Sequence, residues 1–91
     1  MINPSLQPKV NPMFRLQWEQ VQECYVLLYP EGMVKLNGSA GEIMQLIDGN
    51  NKVVDIINTL NHKFPDAGDL TEDIYEFLSA AGEKKWLYYE Q

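Results

Sequence analysis

Polar and apolar positions alternate along Phe14-Arg15-Leu16-Gln17-Trp18-Glu19. A period of two is the mark of a half-buried strand. Cys24 to Tyr29, CYVLLY, is a short apolar run of strand-forming residues. Pro30-Glu31-Gly32 separates it from a third such run, Met33-Val34-Lys35-Leu36. Three connecting residues with glycine last predict a hairpin, the glycine taking the left-handed position of a bulge turn. The expectation is a three-stranded antiparallel sheet with Met33 to Leu36 at its edge.

After Asn37-Gly38 the spacing becomes helical. Ser39 with Glu42 has the form of a capping box, and Ala40, Ile43, Met44 and Ile47 then share one face. Asp48-Gly49-Asn50-Asn51 ends that helix with turn formers. Val53, Ile56, Ile57 and Leu60 predict a second helix, which Phe64-Pro65-Asp66-Ala67-Gly68 breaks. Asp69 with Glu72 repeats the capping pattern ahead of Ile74, Phe77, Leu78 and Ala81, the stripe of a third helix. Gly82 reads as its stop. Trp86-Leu87-Tyr88-Tyr89 is an apolar tail that packs back on the body or forms a short strand. Before all this, Pro4, Pro8 and Pro12 make residues 1–13 read as an extended arm, and residues 14–91 as a single domain. The predicted class is α+β, close to a winged helix-turn-helix: a small three-stranded antiparallel sheet packed with three helices.

Charge and reactive groups narrow the function. The net charge is −6, from 7 basic and 13 acidic residues, which opposes nucleic acids and anionic membranes at long range. The third helix would lead with Asp69, Glu72, Asp73 and Glu76 and offers no Lys or Arg to a phosphate backbone. The start of the chain has no long apolar run, so neither a signal peptide nor a membrane span is expected, and the simplest location is the cytoplasm. One cysteine, Cys24, and one histidine, His62, make neither a disulfide nor an ordinary zinc site. Ser39 fits a helix cap, Cys24 a buried small hydrophobe, and His62 a cation near a helix C-terminus. No converging catalytic set emerges, so no metal, cofactor or enzymatic activity is expected.

An edge strand leaves main-chain donors and acceptors free and accepts an extended peptide as one more strand. Met33 to Leu36 beside the third helix would form such a groove, and Leu36→Pro would weaken binding if the lost donor faced the peptide. Two other readings use the same features: a self-associating regulatory or oligomerisation domain, a homodimer formed by exchange of strand or arm, and a small accessory enzyme.

Arg15-Leu16-Gln17-Trp18-Glu19, Gln22 and the run from Leu27 through Tyr29-Pro30-Glu31-Gly32 to Asn37 resemble the pyrroloquinoline quinone (PQQ) biosynthesis protein D family. Ser39-Ala40, Glu42-Ile43, Asp48-Gly49, Phe77-Leu78 and Trp86-Leu87 continue the likeness. The resemblance implies a peptide chaperone, related to the recognition elements of ribosomally made, modified peptides. Its partners would be the PQQ precursor peptide, protein A, and a radical S-adenosylmethionine enzyme, protein E, that cross-links a Glu and a Tyr of that peptide. The iron–sulfur clusters would belong to that enzyme, since this chain has no cysteine set for one. In related elements the peptide lies along the third strand against the third helix. That implies Met33, Val34, Lys35, Leu36 and Asn37 on the strand side, and Ile74, Tyr75, Phe77, Leu78 and Ala81 on the helix. Arg15, Trp18, Glu19 and Gln22 are candidates for the surface that meets the enzyme.

Overall fold

The computed structural model describes residues 3–90. Strands β1 (Gln7–Val10), β2 (Arg15–Glu19), β3 (Cys24–Tyr29) and β4 (Gly32–Lys35) precede helices α1 (Gly38–Gln45), α2 (Val53–Lys63) and α3 (Thr71–Glu83). A 3-10 turn, Pro65–Ala67, links α2 to α3, and β5 (Leu87–Glu90) closes the chain. The class is α+β, as the periodicity predicts. The expected antiparallel sheet forms in the order β2-β3-β4, with β4 at one edge and β2 at the other.

Alternation in β2 to β4 assigns the two faces of this sheet. Leu16, Leu27, Val34 and Leu36 point to the helices and join Ile43, Met44, Ile56, Ile74 and Leu78 in one core. Burying a side chain of this kind stabilises by roughly 1.5–3 kcal/mol, and the buried apolar residues of this cluster, fourteen among the described residues, make it the main source of cohesion. α1 lies close over β3 at Gly41, where an added Cβ would come within 3.3 Å of the Tyr25 ring.

The structure departs from the sequence reading in its turns and ends. Gly32 is the first residue of β4, paired with Tyr29 across a two-residue turn; its φ of 158° is positive, a conformation side chains rarely adopt, but it is not the αL position of a bulge turn. Asn37, not Ser39, caps α1: its Oδ1 accepts the Ala40 N–H at 2.8 Å. Glu42 has no part in that cap and instead pairs with Lys63 at 2.6 Å. At α3, Asp69 Oδ1 accepts from the Thr71 hydroxyl (2.6 Å) and N–H (3.0 Å), while Asn61 Oδ1 accepts the Leu70 N–H at 2.8 Å. α3 runs through Gly82 and ends one residue later. The left-handed position that usually takes glycine is held by Lys85, φ 66°. The Trp86 N–H reaches the Ala81 carbonyl (3.0 Å) and the Lys85 N–H the Gly82 carbonyl (3.1 Å), which is a Schellman closure. A side chain in that conformation is strained. Lys85→Gly should therefore raise stability by about 0.5–1 kcal/mol, read as a higher midpoint in thermal unfolding.

The segment expected as an arm, residues 1–13, contains β1, which pairs antiparallel with β5 in a second, two-stranded sheet. Pro8 stands mid-strand because of the register. Asn11 N–H bonds the Trp86 carbonyl at 2.8 Å, so pairs alternate from there and Pro8 faces Tyr89 at a position needing no ladder donor. Further back, the carbonyls of Leu6 and Pro4 accept the N–H groups of Val53 and Val54, both at 2.9 Å, and so satisfy two otherwise open donors at the start of α2.

Two carboxylates carry a pH dependence. Asp48 accepts the N–H groups of Asn50 (2.8 Å) and Asn51 (3.1 Å), and these bonds hold its pKa below the ordinary 3.8. Asp69 is lowered likewise, chiefly by the Thr71 hydroxyl and then its N–H. Because the folded-state pKa lies below the unfolded one, this stabilisation is fully present above 3.8 and is lost as pH falls through the folded value. Acid unfolding followed by circular dichroism should show that loss, and Asp48→Asn with Asp69→Asn should flatten it, since Asn still accepts the same bonds.

Candidate functional site

The outer edge of β4 is where main-chain groups are left open. The Leu36 N–H donates to the Tyr25 carbonyl at 3.0 Å. In an antiparallel ladder hydrogen-bonded pairs alternate. Val34 with Leu27 and Gly32 with Tyr29 therefore also face inward, and the groups of Met33 and Lys35 point away from β3. Two donors and two acceptors thus line the edge. The Leu36 donor, which the sequence reading offered as a test, is already committed to β3.

Side chains follow the same alternation. Met33, 46% exposed, and the exposed Lys35 lie on the face away from the helices. Val34 is half-buried on the helix side and Leu36 is buried. Asn37 is exposed, but its side-chain oxygen is spent on the α1 cap. On α3, Ile74, Leu78 and Ala81 are each no more than 2% exposed and belong to the core. Tyr75 and Phe77 are half-buried at its margin, where Phe77 tilts against Trp86 with ring centroids 6.5 Å apart. Val34 and Leu36 share one core with these helix residues. The main strand neighbour of the α3 backbone is β5.

The second group, on β2 and its turn, divides between faces. Arg15 and Glu19 lie on the side away from the helices, and Trp18 on the other. Trp18 is 49% exposed and meets Tyr25 edge-on at 5.1 Å. Glu19 Oε1 accepts the Val21 N–H at 3.2 Å, which orders the turn holding the exposed Gln22. β2 has its own open edge, with the groups of Leu16 and Trp18 facing out by the same alternation.

A cleft of about 420 Å³ lies among the three helices. Its walls come from Gly38 and Ile43 of α1, Leu60 and Phe64 at the end of α2, Ala67 of the 3-10 turn, and Leu70 and Ile74 of α3. Glu42 and Asp73 stand on its rim. Sequence reasoning did not assemble it, although apolar Phe64, Ala67 and Leu70 in a stretch read only as a break were a usable signal. Ser39 is exposed in the first turn of α1, Cys24 is half-buried on the outer sheet face, and His62 is exposed in the last turn of α2. Among the described residues no group of three or more His, Cys, Asp or Glu side chains is placed to hold a metal ion, and no helix is long and apolar enough to cross a membrane.

Comparison with known proteins places the fold and sequence together. Residues 24–87 match the family model for Coenzyme PQQ synthesis protein D (PqqD). The PqqA binding protein of Klebsiella pneumoniae (strain 342) is 51% identical over 74 residues, covering 81% of this chain and 80% of that one. The PqqA binding protein of Pseudomonas aeruginosa (strain UCBPP-PA14) is 49% identical over 86 residues, covering 92% and 94%. The solution structure of the PqqD truncation of Methylobacterium extorquens PqqCD, described as a functional, stand-alone recognition element for ribosomally synthesized and post-translationally modified peptides, superposes with a TM-score of 0.73. It is 29% identical, and the match covers 89% of this chain and 87% of that one. With a family model spanning most of the chain and relatives near half identity over almost its full length, the chain belongs to the Coenzyme PQQ synthesis protein D family.

Proposed function

We propose that this chain is a non-catalytic peptide chaperone of PQQ biosynthesis. It binds the precursor peptide PqqA by strand addition and presents it to the radical S-adenosylmethionine enzyme that joins its Glu and Tyr side chains. The observation that carries this reading is the open edge of β4, with the donors and acceptors of Met33 and Lys35 facing outward. Relatives bearing the name PqqA binding protein support the choice of guest.

Magnitudes require more than the edge. A main-chain hydrogen bond contributes about 0.5–1.5 kcal/mol net, whereas association costs on the order of 4–15 kcal/mol. Four such bonds hold a peptide only with apolar contacts beside them. Val34, Tyr75 and Phe77 are the named positions with partly open apolar surface; Leu36, Ile74, Leu78 and Ala81 act from beneath by fixing their placement. Trp18, with Arg15, Glu19 and Gln22 around the other edge, is the side left for the enzyme, so both partners bind at once. The chain itself supplies no chemistry, and its place of work is the cytoplasm.

Titrating the isotope-labelled chain with PqqA tests this. The amides of Met33 and Lys35 should shift most on the sheet, with Tyr75 and Phe77 responding on α3. Shifts confined to β2 or to the β1–β5 sheet would refute the assignment of the edge. Covalent change in PqqA incubated with this chain alone would refute the non-catalytic role. Self-association through a strand edge would show as a concentration-dependent sedimentation coefficient that PqqA abolishes.

A further inference from the structure

We propose that the hollow between the β2–β3 turn and α1 receives an arginine side chain of the partner enzyme, its guanidinium stacked on Trp18 and paired with Glu23. This rests on reading the β2 side as the surface that meets the enzyme.

Strand pairing sets the place. The hollow measures about 270 Å³ and is walled by Trp18 of β2, Glu23 and Tyr25 around the start of β3, and Gly41, Glu42 and Gln45 of α1. Trp18 stands opposite Tyr25. By the alternation of the ladder this pair exchanges no main-chain bonds, and side chains approach most closely at such pairs. The two rings meet edge-on at 5.1 Å. Tyr25 is in turn wedged against α1 at Gly41, where even an added Cβ would be only 3.3 Å from its ring. Trp18 is therefore steadied by packed groups, yet 49% of it stays exposed. A fixed aromatic with an open surface is a platform for a guest. The main-chain groups of Trp18 also face out from β2, so a segment that meets this edge comes up beside the indole.

Charge selects the guest. Lys63 neutralises Glu42 with contacts of 2.6 and 2.8 Å. Among the described residues Glu23 forms no ion pair, and neither Lys nor Arg is on the walls of the hollow. The complement of an aromatic face beside a free carboxylate is a cation. Arginine fits better than lysine. Its planar guanidinium stacks on an indole and carries donors enough for the Glu23 carboxylate and the Gln45 side-chain oxygen together. A lysine ammonium is the more strongly hydrated of the two and gives up more water on entering. Glu23 also holds a left-handed backbone, φ 52°, which glycine adopts without strain. Replacing it thus separates binding from folding.

The test measures binding of the radical S-adenosylmethionine enzyme to the full chain by calorimetry, with PqqA affinity and thermal unfolding recorded for every variant. Glu23→Gly should raise the unfolding midpoint and still weaken enzyme binding several-fold. Glu23→Gln should weaken it likewise and reduce its salt dependence. Trp18→Leu should weaken it by about tenfold, and Trp18→Phe should recover part of the loss. PqqA affinity should not change in any of the four. One arginine of the enzyme should be shielded from phenylglyoxal by the parent chain and left open by Glu23→Arg. Shielding of a lysine from acetylation, with no arginine shielded, would overturn the guanidinium. Unchanged enzyme affinity in Glu23→Gln and Trp18→Leu, with binding weakened by Arg15→Glu on the other face of β2, would remove the hollow and leave the β2 side to the enzyme. Unchanged affinity in all three would remove both. Variants that weaken PqqA binding instead, or that abolish self-association of the chain, would give the hollow to the peptide or to a second copy and defeat the proposal.

Discussion

A chain lacking residues 1–10 should unfold at a temperature more than 10 °C lower than the whole protein. The segment read from sequence as an arm is tied down at six residues. Pro8 is fully buried, Val10 packs on the core, and Leu87 reaches the core from the strand that β1 pairs with. The Leu6 and Pro4 carbonyls close the start of α2, Gln7 Nε2 donates to the Asn50 carbonyl at 2.9 Å, and Lys9 pairs with Glu90 at 3.1 Å. The exposed ion pair adds little. A lost helix cap typically costs about 1 kcal/mol, and exposing a buried side chain about 1.5–3 kcal/mol. Some of this is offset by the freedom the removed residues no longer surrender. A net loss on the order of 3 kcal/mol is a large part of the stability of a small domain, and each kcal/mol moves the midpoint by about 4–8 °C at this size. Calorimetry of the truncated and whole chains decides it. A midpoint within a few degrees of the parent would mean that the two-stranded sheet contributes nothing to cohesion.

The second large effect concerns binding. Lys35→Pro should leave the fold intact and weaken PqqA binding by about 5- to 150-fold, while Val34→Pro should disrupt the fold itself. The two residues are neighbours, but their donors face opposite ways. Val34 N–H lies in the ladder with β3, and proline there removes an interior bond. Lys35 N–H faces out, and proline is tolerated on an edge whose donor faces solvent. The residue before it, Val34, is already extended, as proline requires. With a peptide in place, the missing donor strands a buried carbonyl at a cost of about 1–3 kcal/mol, which gives the stated range at tenfold per 1.4 kcal/mol. Calorimetric titration of a natively folded Lys35→Pro chain at parental affinity would show that its donor does not meet the peptide.

Much of this molecule is legible without coordinates. The period of two from Phe14 to Glu19, the strand-forming runs Cys24 to Tyr29 and Met33 to Leu36, and the shift to helical spacing after Gly38 mark the central sheet and all three helices. The difficulties lie where one residue's meaning depends on a distant one. Pro8 reads as a strand breaker until the register with Tyr89 shows that its missing donor is not needed. The local motif assigns caps to Ser39 and to Asp69 with Glu72; Asn37 holds the first, while at α3 Asp69 does take the Thr71 N–H and Asn61, reaching from α2, takes that of Leu70. Gly82 reads as a stop, but the left-handed position falls at Lys85. The site shows the same limit. Met33 to Leu36 is visible as an edge, but which of its donors are free follows only from the bond between Leu36 and Tyr25.

The sheet of β1 and β5 also sets an order of events during synthesis. Val10 and Leu87 are partners from opposite ends of the chain, so their contact closes almost the longest loop available and carries its entropic cost. At 5–20 residues per second, β1 leaves the ribosome on the order of ten seconds before β5 exists. Through that wait it is a solitary strand near an assembling hydrophobic body. Pro8 then has a second use: a strand that lacks one donor is a poor template for the wrong neighbour, and β1 stays unmatched until its own partner emerges.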